Sequence, residues 1–447
     1  MTRGRLGRRA GALLHLTCLD GALGRGGRAF IDWLARAGFS VWQFLPQGPT
    51  GADGSPYRVR SDSAGNPALI DAEERPPPDT GEFEAFRQSA KEWLQDYACF
   101  EVLSIRHGGA PWWEWPPEYR DRMPKALTAV RRAEAQRIRV IEIEQFTFAW
   151  QWRRLREYAH ARGVQLFGDL PFYVAPDSVE TWSQRDQFQL DAEGRARAVA
   201  GVPPDYFSKL GQLWGNPLYD WDVMRRNGFT FWRERVRRQL ERVDLLRLDH
   251  FRALAAHWAI PAGASDARAG SWRRTPGWAL LRTLREDLRQ LPLVAEDLGV
   301  ITPDVEDLRR GFALPGMRVL QFGFDGSNEN PHLPHRHERD TIVYTGTHDN
   351  DTTVGWYRSL DAETARRVDF YLGSRPGEMP DALVRAALSS VGAFAIVPVQ
   401  DMLALGSEAR FNTPSTALGN WRWRLPPGSL SAELADRYRH LNTVYGR

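Results

Sequence analysis

Lysine is nearly absent from this chain. Among its 447 residues only Lys91, Lys125 and Lys209 are lysines, against 59 lysines and arginines together. Few groups are therefore available for Schiff-base chemistry. Cysteine is equally scarce: Cys18 and Cys99 each stand beside apolar residues. Two cysteines in so long a chain build no disulfide scaffold, so a reducing, cytoplasmic compartment is expected. A dominant charge is missing too. The net charge of +3 favours neither nucleic acid nor a membrane surface as a partner. No run reaches the ~18 apolar residues of a membrane span. Residues 1–9 are basic and 10–16 apolar, which mimics a secretory leader. That apolar run is short and contains His15, so it reads as the first strand.

What the chain has is tryptophan, 18 of them, and a recurring alternation. Indole faces stack on the C–H faces of sugar rings, although core packing accounts for several of the eighteen. Short apolar β-rich runs fall at 12–16, 41–45, 164–170, 245–249, 293–296, 318–322, 341–345 and 395–399. Helical patterns lie between several of them, as at 27–37, 278–290 and 303–310. Eight strands alternating with helices predict an α/β fold, a (β/α)8 TIM barrel filling residues 1–447 as one catalytic unit. Two gaps are long. They predict a helical insertion at about 51–160 after the second strand, and a second at about 171–240 after the third. The first holds a helix from about 131 to 161, with Ile138, Val140, Ile141, Ile143 and Phe146 as its apolar face. The second holds Gly201-Val202-Pro203-Pro204-Asp205-Tyr206-Phe207, which reads as a lid.

Three carboxylates follow three of the apolar runs. Asp249 ends Leu245-Leu246-Arg247-Leu248-Asp249, Glu296 ends Leu293-Val294-Ala295-Glu296, and Asp349 stands in Gly346-Thr347-His348-Asp349-Asn350. Acids at the ends of buried strands are costly, so a chemical role is expected. In a barrel such ends form the catalytic face. Two carboxylates are the set that cleaves a glycosidic bond, one attacking the sugar and one moving the proton. Residues two apart share a strand face, so Arg247 and Asp249 point the same way. The arginine is expected to lower the aspartate's pKa and keep it ionised. The plain alternative is a structural Arg–Asp pair. Glu296, among apolar neighbours, is expected to have a raised pKa, as a general acid needs. Its plain alternative is helix capping, a task for which glutamate is poor and the adjacent Asp297 better suited.

Three other leads are weaker. His348-Asp349 lacks the Gly-x-Ser-x-Gly elbow of a serine hydrolase. Gly24-Arg25-Gly26-Gly27-Arg28-Ala29 matches a dinucleotide fingerprint, but the next strand lacks the ribose-binding acid. His332, His335 and His337 cluster without a carboxylate or cysteine pattern that completes a metal site.

Taken together, the motifs carry a family resemblance. They are Trp42-Gln43-Phe44-Leu45-Pro46 with Gly48-Pro49-Thr50, Ala64-Gly65-Asn66-Pro67, Val199 through Phe207, and Trp214-Gly215-Asn216-Pro217-Leu218-Tyr219. Ala295-Glu296-Asp297-Leu298-Gly299, Leu314-Pro315-Gly316-Met317 and Gly346 through Thr352 follow. The chain resembles the 4-α-glucanotransferases (amylomaltases, disproportionating enzymes) of glycoside hydrolase family 77. The resemblance implies Asp249 as nucleophile, Glu296 as acid/base and Asp349 as transition-state stabiliser. It implies sugar contacts for Arg247 and His348, support from Asp169, and cleft contacts for Tyr57, Tyr206, Phe207, Trp214 and Asn412. It also implies maltooligosaccharides and starch- or glycogen-derived α-1,4-glucans as substrates, glucose as an acceptor, and no cofactor or metal. The same trio fits an α-1,4-glucan hydrolase or a catalytically impaired glucan-binding homologue. The pattern departs from the family at the rim: Arg58-Val59-Arg60 replaces small polar residues, and the loops at 20–27 and after Asp71 are short.

Overall fold

The computed structural model describes residues 6–77, 81–204, 208–375, 377–416 and 418–447. Eight short strands pair in parallel: β1 (Arg9–Leu13), β2 (Val41–Gln43), β3 (Gln165–Leu170), β6 (Leu245–Leu248), β9 (Leu293–Ala295), β10 (Gly316–Val319), β11 (Thr341–Tyr344) and β12 (Phe394–Pro398). Their order is β10-β11-β12-β1-β2-β3-β6-β9. The ends of that order meet where the Ala295 amide donates to the Pro315 carbonyl at 2.8 Å, so the sheet closes on itself as a TIM barrel. Four barrel strands are wholly buried: β2, β6, β9 and β11. Helices cover one face and side chains fill the other, which is why these runs are apolar apart from Gln43, Arg247 and Thr341.

Every expected barrel strand is present, two of them displaced. The first begins at Arg9 instead of residue 12, and 16–18 form a 3-10 turn. Its small residues have a steric reason. A Cβ on Gly11 would stand 2.5 Å from Ile396 and 2.8 Å from Val41, its neighbours in the sheet. The sixth begins at Gly316, where a Cβ would meet the Asp297 carboxylate at 2.4 Å. Glycine and alanine therefore lie inside these strands, where propensity disfavours them.

A second sheet was not expected. β4 (Ala198–Val202), β5 (Gln212–Pro217), β7 (Ala256–Pro261) and β8 (Ser271–Arg274) pair antiparallel in the order β5-β4-β7-β8. Gly201 and Val202, read as part of a turn, lie inside β4. Pro203 and Pro204 follow the strand, and the end of the predicted lid, Asp205-Tyr206-Phe207, lies outside the described residues.

The segment between β2 and β3 is helical, and its longest helix spans Ala135–Ala161. The face it buries is only partly the one expected: Phe146 is buried and Ile138 and Ile141 pack against the core. Val140 is 52% exposed, whereas Glu142, Gln145 and Gln151 are buried. Gln145 donates to the Gly65 carbonyl and accepts from its amide, at 2.9 and 2.7 Å. Gln151 does the same for Asp71, at 2.8 and 2.9 Å. Buried backbone groups in an irregular loop must find partners, and a glutamine supplies donor and acceptor together.

Candidate active site

All three carboxylates lie past the C-terminal ends of barrel strands. Asp249 follows β6 directly and its amide donates to the Leu170 carbonyl of β3 at 3.0 Å. Glu296 follows β9 directly and its amide donates to the Leu248 carbonyl of β6 at 3.1 Å. The two acids are thus carried by neighbouring strands. Asp349 reaches the same face from the turn after β11.

Arg247 joins Asp249 to Asp169 of the neighbouring strand β3. Its Nη2 stands 2.8 Å from Asp249 Oδ1, and its Nη1 donates to both oxygens of Asp169 at 2.8 Å. Asp169, inside β3, is buried and also accepts from the Tyr57 hydroxyl at 2.6 Å. The Tyr57 ring stacks on His348, with centroids 5.2 Å apart and planes 15° apart. Tyr57, Asp169, Arg247, Asp249 and His348 therefore form one connected floor. A structural Arg–Asp pair does account for Arg247 and Asp169; Asp249 is the additional, more open member, with 28% of its side chain exposed.

Glu296 is held differently. Its Oε2 accepts from the His250 amide at 2.8 Å and its Oε1 from the Leu298 amide at 3.0 Å. His250 adopts φ 49°, the left-handed region that a histidine seldom enters. This turn aims its N–H at the acid, a local strain of the kind found at functional sites. Burial pushes Glu296 up to about 8, Arg247 opposes, and Asp249 adds to the rise. Asp297 takes no part in helix capping: its Oδ1 accepts from the Met317 amide at 2.6 Å, and Arg309 and Arg318 each stand 3.3 Å from its Oδ2.

For Asp249 the expectation of a lowered pKa is overturned. Burial raises it to about 6, outweighing the pull of Arg247, and Asp169 and Asp349 add to the rise. Arg247 is shared between Asp169 and Asp249, so its pull on Asp249 does not offset burial. The order that matters is kept: Glu296 retains its proton to higher pH than Asp249.

Asp349 is the most open of the three, with 45% of its side chain exposed. Asn412 donates to its Oδ1 at 2.6 Å, and His348 Nε2 stands 3.3 Å from the same atom. Burial lowers the His348 pKa. Trp214 lies edge-on to His250, centroids 4.8 Å apart, beside the turn that holds Glu296.

The sequence reading missed three participants. His250 acts through its backbone, which no side-chain pattern reveals. Arg410 donates to the Asp349 carbonyl at 2.6 Å. Trp421 lies 6.1 Å from both the Tyr57 and His348 rings and has φ 66°. Its place in Gly419-Asn420-Trp421 was the available signal. Two other features prove structural. Arg60 pairs with Glu101 and Asp177 at 2.8 and 3.3 Å, away from the acids. His332 Nδ1 accepts from the Val319 amide at 3.1 Å and His335 Nδ1 contacts the Tyr371 hydroxyl at 2.7 Å.

A closed parallel barrel carrying three carboxylates, an arginine and a histidine around one opening defines an enzyme class that acts on glycosidic bonds. The comparisons narrow it. The family model described as 4-alpha-glucanotransferase, glycoside hydrolase family 77, matches residues 14–79 and 72–431. The 4-alpha-glucanotransferase of Thermus thermophilus is 44% identical, over 97% of this chain and 98% of its own. That of Synechocystis is 41% identical, over 98% of each. An amylomaltase from Streptococcus agalactiae, solved in complex with acarbose, superposes with a TM-score of 0.94 at 32% identity, covering 98% and 99% of the two chains. The chain belongs to the 4-alpha-glucanotransferases of glycoside hydrolase family 77, enzymes that act on α-1,4-glucans.

Proposed function

We propose that this chain transfers α-1,4-glucan segments by a retaining double displacement on Asp249. Glu296 donates its proton to the glycosidic oxygen while Asp249 attacks the anomeric carbon. The C–O bond breaks, the first fragment leaves, and a glycosyl ester remains on Asp249. Glu296, now a carboxylate, takes the proton from the 4-hydroxyl of an acceptor glucan or glucose. That oxygen attacks the anomeric carbon and releases Asp249. Asp349 and His348 hold the sugar most strongly as charge develops, and Arg247, Asp169 and Tyr57 fix the nucleophile. Trp214 and Asn412 line the cleft, and Tyr206 and Phe207 are assigned the role of favouring the acceptor over water. Maltooligosaccharides and starch- or glycogen-derived glucans are the donors, no cofactor is used, and the buried thiols Cys18 and Cys99 suit the cytoplasm.

The observation that carries this reading is the unequal setting of the two acids. Asp249 is bonded to a guanidinium, and Glu296 accepts only from backbone amides among the described residues. Such a pair separates into nucleophile and acid. Product analysis on maltotriose tests the reaction: longer oligomers mean transfer, and glucose and maltose alone mean hydrolysis. Trapping tests the roles. With an α-glucosyl fluoride donor, Glu296→Gln is expected to accumulate a covalent adduct on the peptide carrying Asp249, because fluoride leaves with little protonation. An adduct on another carboxylate, or full activity in Asp249→Asn, would overturn the assignment.

A further inference from the structure

Asp349 is nearly half exposed and follows a short turn, so burial does not fix it. Beside His348 and the Thr347 hydroxyl, which accepts from its amide, a closed ring of three contacts fixes it. Asn412 Nδ2 donates to Asp349 Oδ1 at 2.6 Å. Arg410 Nη2 donates to the Asp349 backbone carbonyl at 2.6 Å, and Arg410 Nε donates to the Asn412 backbone carbonyl at 2.8 Å. One guanidinium therefore ties the backbone of the acid to the backbone of the residue that grips the acid's carboxylate. Its planar fork suits two acceptors at a fixed separation, and a lysine would lack that fork.

Arg410 is otherwise uncommitted. Among the described residues its side chain forms no ion pair, and its hydrogen bonds all go to these two carbonyls. It is half-buried, so a stability staple would be expected to seek a carboxylate. Its loop is also held from the far side. The Trp421 amide donates to the Phe411 carbonyl at 2.8 Å, placing the Trp421 ring 5.5 Å from Phe411 and 6.1 Å from His348. Both ends of this loop thus address the His348-Asp349 pair.

We propose that Arg410 is a positioning residue for Asp349. It holds the carboxylate where the transition state needs it and makes no sugar contact itself. The inference rests on the reading of Asp349 as the transition-state stabiliser. Displacing a catalytic group by about 1 Å can cost ~100-fold in rate, and the loss should fall on kcat because the ground-state sugar gains least from that carboxylate.

The test compares Arg410→Ala, Asp349→Asn and the double variant, using maltotriose and an α-glucosyl fluoride whose easier first step keeps the weak variants measurable. Arg410→Ala is expected to lower kcat ~100-fold with KM within about threefold. Added to Asp349→Asn, it should cost almost nothing more, since residues acting as one unit do not multiply. Arg410→Lys should recover only part of the loss, and it carries the same comparison should the alanine variant fail to fold. A kcat within threefold of the parent, or a full second loss in the double variant, would overturn the role of Arg410 and leave that of Asp349 standing. An unchanged kcat in Asp349→Asn would instead sink the reading of Asp349.

Discussion

Glu296 shows the chemistry of the site at its smallest scale. A buried carboxyl with no side-chain cation bonded to it among the described residues keeps its proton, and Asp249 surrenders one first. In the proposed mechanism activity needs Asp249 ionised and Glu296 protonated. The apparent limbs of kcat/KM belong to the pair as a whole. The profile is expected to rise through about pH 6 and fall through about pH 8. A single falling limb below pH 5 in a pH–rate series would contradict this. The same shift has a stability consequence. Glu296's folded pKa lies above its unfolded value, so the native state binds more protons between about pH 4.5 and 8. Stability is therefore lost as pH rises through that window. Glu296→Gln removes the loss. Its unfolding midpoint is expected to exceed the parent's at pH 8 and to converge with it near pH 4, read by thermal denaturation at both values. Equal midpoints at pH 8 would show that burial costs the acid little.

Among the elements, the helix Ala135–Ala161 and the loop it holds show what a sequence does and does not disclose. The barrel strands were legible because a strand buried on both faces writes a largely apolar run, unbroken at Leu293–Ala295 and Phe394–Pro398 and broken only by Arg247 at Leu245–Leu248. Asp249 and Glu296 were legible because each interrupts such a run at its end, and Asp349 because it stands in the turn just beyond one. The antiparallel sheet was not: β8 is exposed along its whole length and reads Ser271-Trp272-Arg273-Arg274, with no apolar alternation to mark it. The helix's inner face was read only in part, for a related reason. Its buried glutamines serve loop backbone, and periodicity counts them as surface. Gly65 is the loop's closest approach, where a Cβ would stand 2.2 Å from the Phe148 ring. Gly65→Ala is expected to cost about 1–3 kcal/mol by overpacking, measured by urea unfolding. A change under about 0.5 kcal/mol would mean that the loop moves aside freely.

At the scale of the whole molecule, distant stretches of chain meet at Arg235. It is buried and pairs with Asp62 of the segment after β2. It also donates to the Pro171 and Phe172 carbonyls, at 2.7 and 2.8 Å, where the chain leaves β3 just past Asp169. The helix Thr230–Arg242, the insertion and the active-site floor are tied at this one residue. Arg235→Met keeps the packing volume and strands the Asp62 charge. It is expected to cost about 3–5 kcal/mol, the penalty of one unpaired buried ion. Combining Arg235→Met with Asp62→Asn removes the stranded charge, and restored stability in that double variant would confirm the cause. A loss unrelieved in the double variant would place the cost in the two carbonyls.

The seat of Glu296 is made of peptide bonds, and heredity acts on peptide bonds only weakly. Any codon at position 298 except one for proline still delivers the amide that meets Oε1. Position 250 is narrower, since its left-handed φ of 49° admits glycine and asparagine beside histidine but excludes valine and isoleucine. A drifting lineage can therefore rewrite the neighbours of its acid while the acid stays in place. Searches for the supporting cast by side-chain replacement will pass over the two groups that touch it.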